Sequence, residues 1–244
     1  ALGGSYASGT NSFAAAIANN TSSYGATGAQ SVALGYLAKA TGANSLALHL
    51  LSVASASNSF AAMRGTASAN NAISIGNLSV ASAPEAVALG KNAKSVIKGK
   101  YAYSSSDTWG QGMAQYGCFV LKSDTTDATP EALTTDKTAA GTDDQVILPN
   151  NSAYSFSGTI VARQQASTGT ACAAWKIEGL IRREGSAGTT VLVNSATTVL
   201  DNTPAWGMAL TADVTNGGLK IEVTGAAATN IRWVATIHTS EVTY

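Results

Sequence analysis

Between Ser31 and Ser95 the apolar residues return at a fixed interval. The phrases SVALGYLAKA from Ser31, SLALHLLSVA from Ser45, SFAAMRGTAS from Ser59, AISIGNLSVA from Ala72 and AVALGKNAKS from Ala86 start 14, 14, 13 and 14 residues apart. A further copy, SFAAAIANNT from Ser12, lies upstream across a longer gap, and Ala1, Leu2 and Gly3 fit the third to fifth positions of another. These opening residues lead us to expect that the chain is the C-terminal part of a longer polypeptide. A period this short has no room for a helix and a turn, but it holds two short strands and two turns, which make one coil of a parallel β-roll.

Within each phrase the second and fourth positions are the bulkier apolar ones, as in Val32 and Leu34, Leu46 and Leu48, Phe60 and Ala62, Ile73 and Ile75, Val87 and Leu89. A spacing of two places them on one face of a strand. Ala33, Ala47, Ala61, Ser74 and Ala88 line the other face, small enough for another surface to approach closely. The expectation is a roll with its bulky face inside a core or interface and its small face turned outward against another surface. Such coils bury little apolar area against an ordering cost of about 1 to 2 kcal/mol per residue. Stability is therefore expected only in an oligomer. With few side chains available to select a ligand, the roll reads as a shaft.

Beyond Lys100 the period disappears and alternating strands separated by turn residues take over. The strand-like stretches begin at Tyr116, Gln145, Ala153, Ala173, Thr189, Trp206, Gly218 and Asn230. Phe156, Gly158, Ile160 and Ala162 alternate with Ser155, Ser157, Thr159 and Val161, and Leu219, Ile221 and Val223 alternate with Lys220, Glu222 and Thr224. One face is core and the other is wet or intersubunit. Thr215 to Gly218 and Glu184 to Gly188 carry hairpin signals. The chain is thus expected to be all-β, with a roll over residues 1–100 and an antiparallel β-sandwich of jelly-roll type over residues 101–244.

Charged residues make up only 11% of the chain, against about 25% in an average globular protein, so large areas are neutral or covered by another chain. Residues 1–100 hold the single acid Glu85, and four bases, Lys91, Lys94, Lys98 and Lys100, gather near the end of the roll. That cluster is too short and too weak for a nucleic-acid platform and reads as a solvated junction. Cys118 and Cys172 match no metal or disulfide pattern and read as buried apolar residues. No apolar run approaches the roughly 18 to 20 residues needed to span a bilayer. The sequence accordingly reads as a soluble chain that inserts into no membrane.

The phrase from Ser31 through Ala38, Ala40, Gly42 and Asn44 resembles the head repeat of trimeric autotransporter adhesins of the YadA type. The resemblance implies a left-handed parallel β-roll assembled from three chains. His49, Met63 and Arg64 replace its glycine turn, the Ala72 copy is one residue short, and the stretch from Ser12 to Ser31 carries a five-residue insertion. No heptad stalk or membrane anchor follows the repeats, which argues against an adhesin head. From Tyr116 to Arg163, and again from Gly218 to Val242, the chain resembles the C-terminal domains of bacteriophage tail-fibre and tailspike proteins. That resemblance implies a homotrimeric virion appendage, assembled in the host cytoplasm. Its implied partners are upstream fibre or other tail proteins and a host-surface polysaccharide or protein.

Chemistry-bearing residues are sparse. His49 and His238 lack a GxSxG or HExxH context, and Asp124, Asp127, Glu131, Asp136, Asp143 and Asp144 read as an exposed acidic loop rather than a calcium site or a glycosidase pair. The expectation is a protein without enzymatic activity, cofactor or metal. Alternatives are a tailspike that depolymerises polysaccharide with carboxylates at an intersubunit groove, and a capsid or neck appendage without receptor function. Aromatic rings stack on sugar faces, and Trp109 in SSSDTWGQG and Trp206 in NTPAWG lie in turn-like contexts. Both are candidate glycan contacts, whereas Trp175 and Trp233 lie in alternating strands and are expected in the core.

Overall fold

A computed structural model describes residues 5–15, 23–105, 108–166, 170–202 and 204–244. The repeat copy expected at Ala1 to Gly3 and most of the copy after Ala15 lie outside the described residues. The chain divides into two compact units, Ala1–Gln115 and Tyr116–Tyr244. Strands dominate both, and no helix among the described residues is long and apolar enough to cross a membrane.

In the first unit each coil contributes a three-residue strand and a two-residue strand. In chain order these are β1 (Phe13–Ala15), β2 (Gly25–Ala26), β3 (Val32–Leu34), β4 (Lys39–Ala40), β5 (Leu46–Leu48), β6 (Val53–Ala54) and β7 (Phe60–Ala62). They continue as β8 (Thr66–Ala67), β9 (Ile73–Ile75), β10 (Val80–Ala81), β11 (Val87–Leu89), β12 (Lys94–Ser95) and β13 (Tyr101–Tyr103). The odd-numbered strands form one parallel sheet and the even-numbered ones a second. The register runs Phe13, Val32, Leu46, Phe60, Ile73, Val87, Tyr101. Neither the short copy nor the insertion causes a slip of the ladder.

The interior between the two sheets is filled by side chains no larger than alanine and serine, with the Ser74 and Ser79 hydroxyls bonded to each other at 2.8 Å. Among the described residues, fifteen alanines, including Ala33, Ala47, Ala61 and Ala88 from the first sheet and Ala40, Ala54 and Ala81 from the second, form the apolar interior. The expected orientation is thereby reversed: the small face points into the coil, and the bulky positions point out of it. Val32, Leu34, Leu46, Leu48, Phe60, Ile73, Ile75, Val87 and Leu89 are all left only half-buried.

The turns explain the rest of the phrase. Ser31, Ser45 and Ser59 donate their hydroxyls to the carbonyls of Gly28, Gly42 and Ala56 at 2.7, 2.7 and 2.6 Å, which ties each buried serine to the preceding corner. A Cβ at Gly42 would meet the Ala56 carbonyl oxygen at 1.9 Å, so this corner has room for glycine alone, whereas the equivalent corner of the next coil carries Ala56. After the first strand the chain turns through positive φ. Gly35 has φ 122°, and His49 and Met63 adopt φ 76° and 55° where the neighbouring coils use glycine. Side chains in this region cost about 1 to 2 kcal/mol each, which makes the middle coils the strained ones. At the other corner, Asn44, Asn58 and Asn71, also at positive φ, are joined in a side-chain ladder at 3.2 Å per step.

The second unit contains β14 (Ala114–Thr125, which starts two residues earlier), β15 (Pro130–Ala132), β16 (Val146–Ile147), β17 (Ser152–Gln164) and β18 (Cys172–Arg183). A short 3₁₀ turn (Ala187–Thr189) precedes β19 (Val191–Asp201), β20 (Gly207–Asp213), β21 (Gly218–Thr224) and β22 (Ile231–Thr243). One antiparallel sheet runs β14-β22-β17-β18-β19; in the other, β21 pairs with β20 on one side and with β15 and β16 on the other. Side chains here follow the ordinary rule. Phe119, Leu121, Phe156, Ile160, Ile177, Leu219, Ile221, Ile231 and Trp233 are buried between the sheets. Trp175 and Trp233 stack at 5.8 Å, and the Trp233 indole N–H donates to the Thr125 hydroxyl at 2.9 Å. β15 had no counterpart in the sequence reading, because PEA follows no apolar alternation.

Candidate functional site

The most extensive site-like feature of the first unit is its outward apolar face. The register aligns one column through Val32, Leu46, Phe60, Ile73 and Val87 and a parallel one through Leu34, Leu48, Ala62, Ile75 and Leu89. Rungs repeat at about 4.8 Å, and no charged residue interrupts either column. Contiguous apolar patches of this kind are characteristic of interaction surfaces.

Trp109 belongs to the segment that follows β13. That segment is fastened to the last coils by two carboxamides and one backbone bond: Asn92 Nδ2 donates to the Trp109 carbonyl at 3.1 Å, Gln111 Nε2 to the Leu78 carbonyl at 2.6 Å, and Gly112 N to the Asn92 carbonyl at 2.9 Å. Gln115 then brackets Lys94, accepting from its N–H at 2.9 Å and donating to its carbonyl at 3.0 Å. The carboxamide thus satisfies the open edge of β12 as a further strand would. The segment is anchored, yet the Trp109 side chain stays 54% exposed. Ser106 and Asp107 of its motif lie outside the described residues.

Trp206 sits in a different environment. Asn202 clamps the turn, accepting from the Trp206 N–H at 2.9 Å and donating to its carbonyl at 2.7 Å. The ring is thereby turned inward, 5.8 Å from Trp233 and 5% exposed. The expectation of an exposed ring at Trp206 is corrected: it is a core residue with no face free for a sugar. Three further expectations change. Cys118 is half-buried and Cys172 is exposed, so neither is a core residue. Lys100, expected at a solvated junction, is 2% exposed.

The acidic stretch proves to be turn chemistry. Asp127 accepts from Thr129 N at 2.7 Å, Asp136 from Thr138 N at 3.1 Å, and the buried Asp144 from Gly141 N at 2.8 Å. Asp124 gathers Lys137, Arg232 and Gln165. Burial pushes its carboxyl up, but the hydrogen bonds from Lys137 and Arg232 outweigh that and hold it below the usual carboxylate range. Asp213 is likewise pushed up by burial and held lower by Gln145, Asn216 and Thr215, which fix the β20–β21 hairpin. Among the described residues, no group of three or more His, Cys, Asp or Glu side chains is placed to hold a metal.

Two groupings escaped the sequence. Tyr154 and Glu241 face each other across β17 and β22, both buried; burial and then the Glu241 carboxylate push the phenol well above its ordinary value. The Tyr116 hydroxyl meets His238 Nδ1 at 2.5 Å, with the rings stacked at 5.8 Å. These pairs join residues more than 80 positions apart, and only the strand register brings them together.

A family model for the YadA head domain repeat matches residues 26–48 and 67–93. The gap between the matches holds His49, Met63 and Arg64, the positions that depart from the glycine turn. No curated protein matches the chain. Among solved structures, it aligns with the tailspike protein gp49 of Acinetobacter baumannii bacteriophage Fri1, a capsular polysaccharide depolymerase, at 9% identity and TM-score 0.33, covering 94% of this chain and 36% of that one. It also aligns with the tailspikes of Acinetobacter baumannii phage AM24 (9%, TM-score 0.26, covering 89% and 44%) and Acinetobacter phage vB_ApiP_P1 (9%, TM-score 0.24, covering 88% and 48%). The chain therefore spans between 36% and 48% of the length of these structures. The expectation of a protein without enzymatic activity is corrected by the first of them, which is an enzyme; at these TM-scores the likeness assigns no reaction to this chain. Two stretches of the first unit are thus similar to YadA head domain repeats.

Proposed function

We propose that the chain forms part of a homotrimeric phage tail fibre or tailspike, carried on the virion, that attaches to a bacterial surface polysaccharide. The observation that supports assembly is the outward pair of apolar columns on the roll. An alanine interior contributes little burial per residue, about 0.8 kcal/mol per buried CH₂-sized group, so the coil gains most of its apolar burial when copies of itself cover those columns. A second copy has the same rung period, and three copies close a ring in which each column meets a neighbour. Attachment is supported by the resemblance of the stretches after Tyr116 to fibre tip domains. The exposed Trp109 ring is the aromatic assigned to glycan contact in the first unit. Three copies raise weak single-site binding by avidity.

Fluorescently labelled full-length chain, applied to a panel of bacteria, tests this function. Retention on particular strains, lost when their capsule or lipopolysaccharide is stripped, is the expected result. Retention on none, or retention unaffected by stripping, contradicts it. A reducing-end assay on the same polysaccharides reads whether binding is accompanied by cleavage.

A further inference from the structure

The outward face of the β14-β22-β17-β18-β19 sheet is not a plain solvated surface. Its register sets side chains in rows across the strands. His238, Ser157 and Glu178 form one row, and Thr159, Lys176 and Thr198 belong to the next. Because the central positions carry only short hydroxyl side chains, the face is hollowed there. Two adjoining depressions of about 320 and 340 Å³ share Ser157, Glu178 and Ala196, each at the lower end of the roughly 300 to 1,000 Å³ typical of small-ligand sites.

The polar groups in this trough differ from those elsewhere in the unit. Asp124, Asp127, Asp136, Asp144 and Asp213 are all engaged by neighbours in turns or ion pairs. The side chains of Ser157, Thr159, Lys176, Glu178 and Thr198 make no hydrogen bond or ion pair with the described residues, although they converge on one hollow. At the rim, the Tyr116–His238 pair holds one imidazole nitrogen and presents a flat aromatic edge.

We infer that this trough is a saccharide-binding site, separate from Trp109, that takes a short segment of a polyhydroxylated chain. Hydroxyl side chains both donate and accept, a carboxylate accepts from two adjacent sugar hydroxyls, and an ammonium donates to ring or hydroxyl oxygens. The opposed charges of Lys176 and Glu178 disfavour a strongly charged polymer, and the mixed lining, with Phe156, Ile177 and Ala196 among the hydroxyl and charged side chains, suits a ligand that is polar at its rim and carries C–H faces. The stacked pair supplies the ring surface against which sugar C–H groups pack. The assignment rests on the host-polysaccharide function proposed above and gives it a second contact.

The test uses the full chain and, as probe, capsular polysaccharide and lipopolysaccharide purified from strains that retain it, with affinity measured by calorimetry. Glu178→Ala is expected to weaken binding about ten- to a hundredfold, and Ser157→Leu, which fills the hollow, by a similar factor. Circular dichroism and particle mass should stay unchanged. If the wild-type chain binds and both variants bind as well, the trough assignment is overturned while the attachment function stands. If either variant lowers the particle mass, the face is a subunit contact and the assignment is again overturned. If the wild-type chain binds no polysaccharide, the attachment function fails and the trough falls with it.

Discussion

The roll and the sandwich both alternate large and small residues along their strands, and they bury opposite members of the pair. In the roll, Ala33, Ala47, Ala61 and Ala88 face inward and their large neighbours face out. In the sandwich, Phe156, Ile160, Trp175 and Trp233 face inward, while Ser155, Ser157 and Thr159 face out. The distance between sheets decides. Facing sheets of a sandwich stand about 10 Å apart and accept indole rings, whereas two-residue strands and tight corners leave the roll an interior of alanine and serine side chains. One unit buries its large side chains within a single chain, and the other leaves them half-buried on its outer face.

The contrast can be broken first at the sandwich core. Trp233→Ala should cost about 3 to 5 kcal/mol, seen in calorimetry as an early transition of the second unit with the roll's transition unmoved. The opposite change breaks the roll: Ala47→Leu inserts a side chain where none fits and should destabilise it by about 1 to 3 kcal/mol or more, whereas enlarging a position that is core by ordinary hydrophobicity would be milder. Relief of strain sharpens the same point. His49→Gly removes a side chain from positive φ and should stabilise the roll by up to about 1 kcal/mol, the local gain less the entropy of glycine, readable as a higher midpoint.

The smallest effect is electrostatic. Asp124 and Asp213 have carboxyls held below their ordinary values, so in acid the unfolded chain binds protons before the folded one. Their contribution is present above the unfolded value of about 3.9 and is lost as pH falls through the lower folded values. The second unit should weaken below about pH 4. The roll, with Glu85 as the only acid in residues 1–100, should change little; parallel acid titrations followed by near-ultraviolet dichroism, which reports the tryptophans, and far-ultraviolet dichroism separate the two.

The repeat phrase made the coils, the sheet class and the corner glycines legible, because a strand of period two and a turn residue leave local marks. The inward set was not legible, since alternation is the same whichever face is buried; intersheet distance is a tertiary quantity. Trp206 was misjudged because Pro204 and Gly207 signal a turn but not that Asn202 would aim the ring at Trp233. The trough was invisible for a related reason: Ser157, Glu178 and His238 become neighbours only through the registers of β17 with β18 and β22.

On the reading proposed above, the roll's apolar columns are a contact between copies. Sedimentation equilibrium of the full chain tests it most directly. The predicted mass is three times the 24.5 kDa of one chain, falling when Leu48→Glu and Ile75→Glu place carboxylates in the second column. A wild-type chain that sediments as a single copy with its roll fully folded would contradict it.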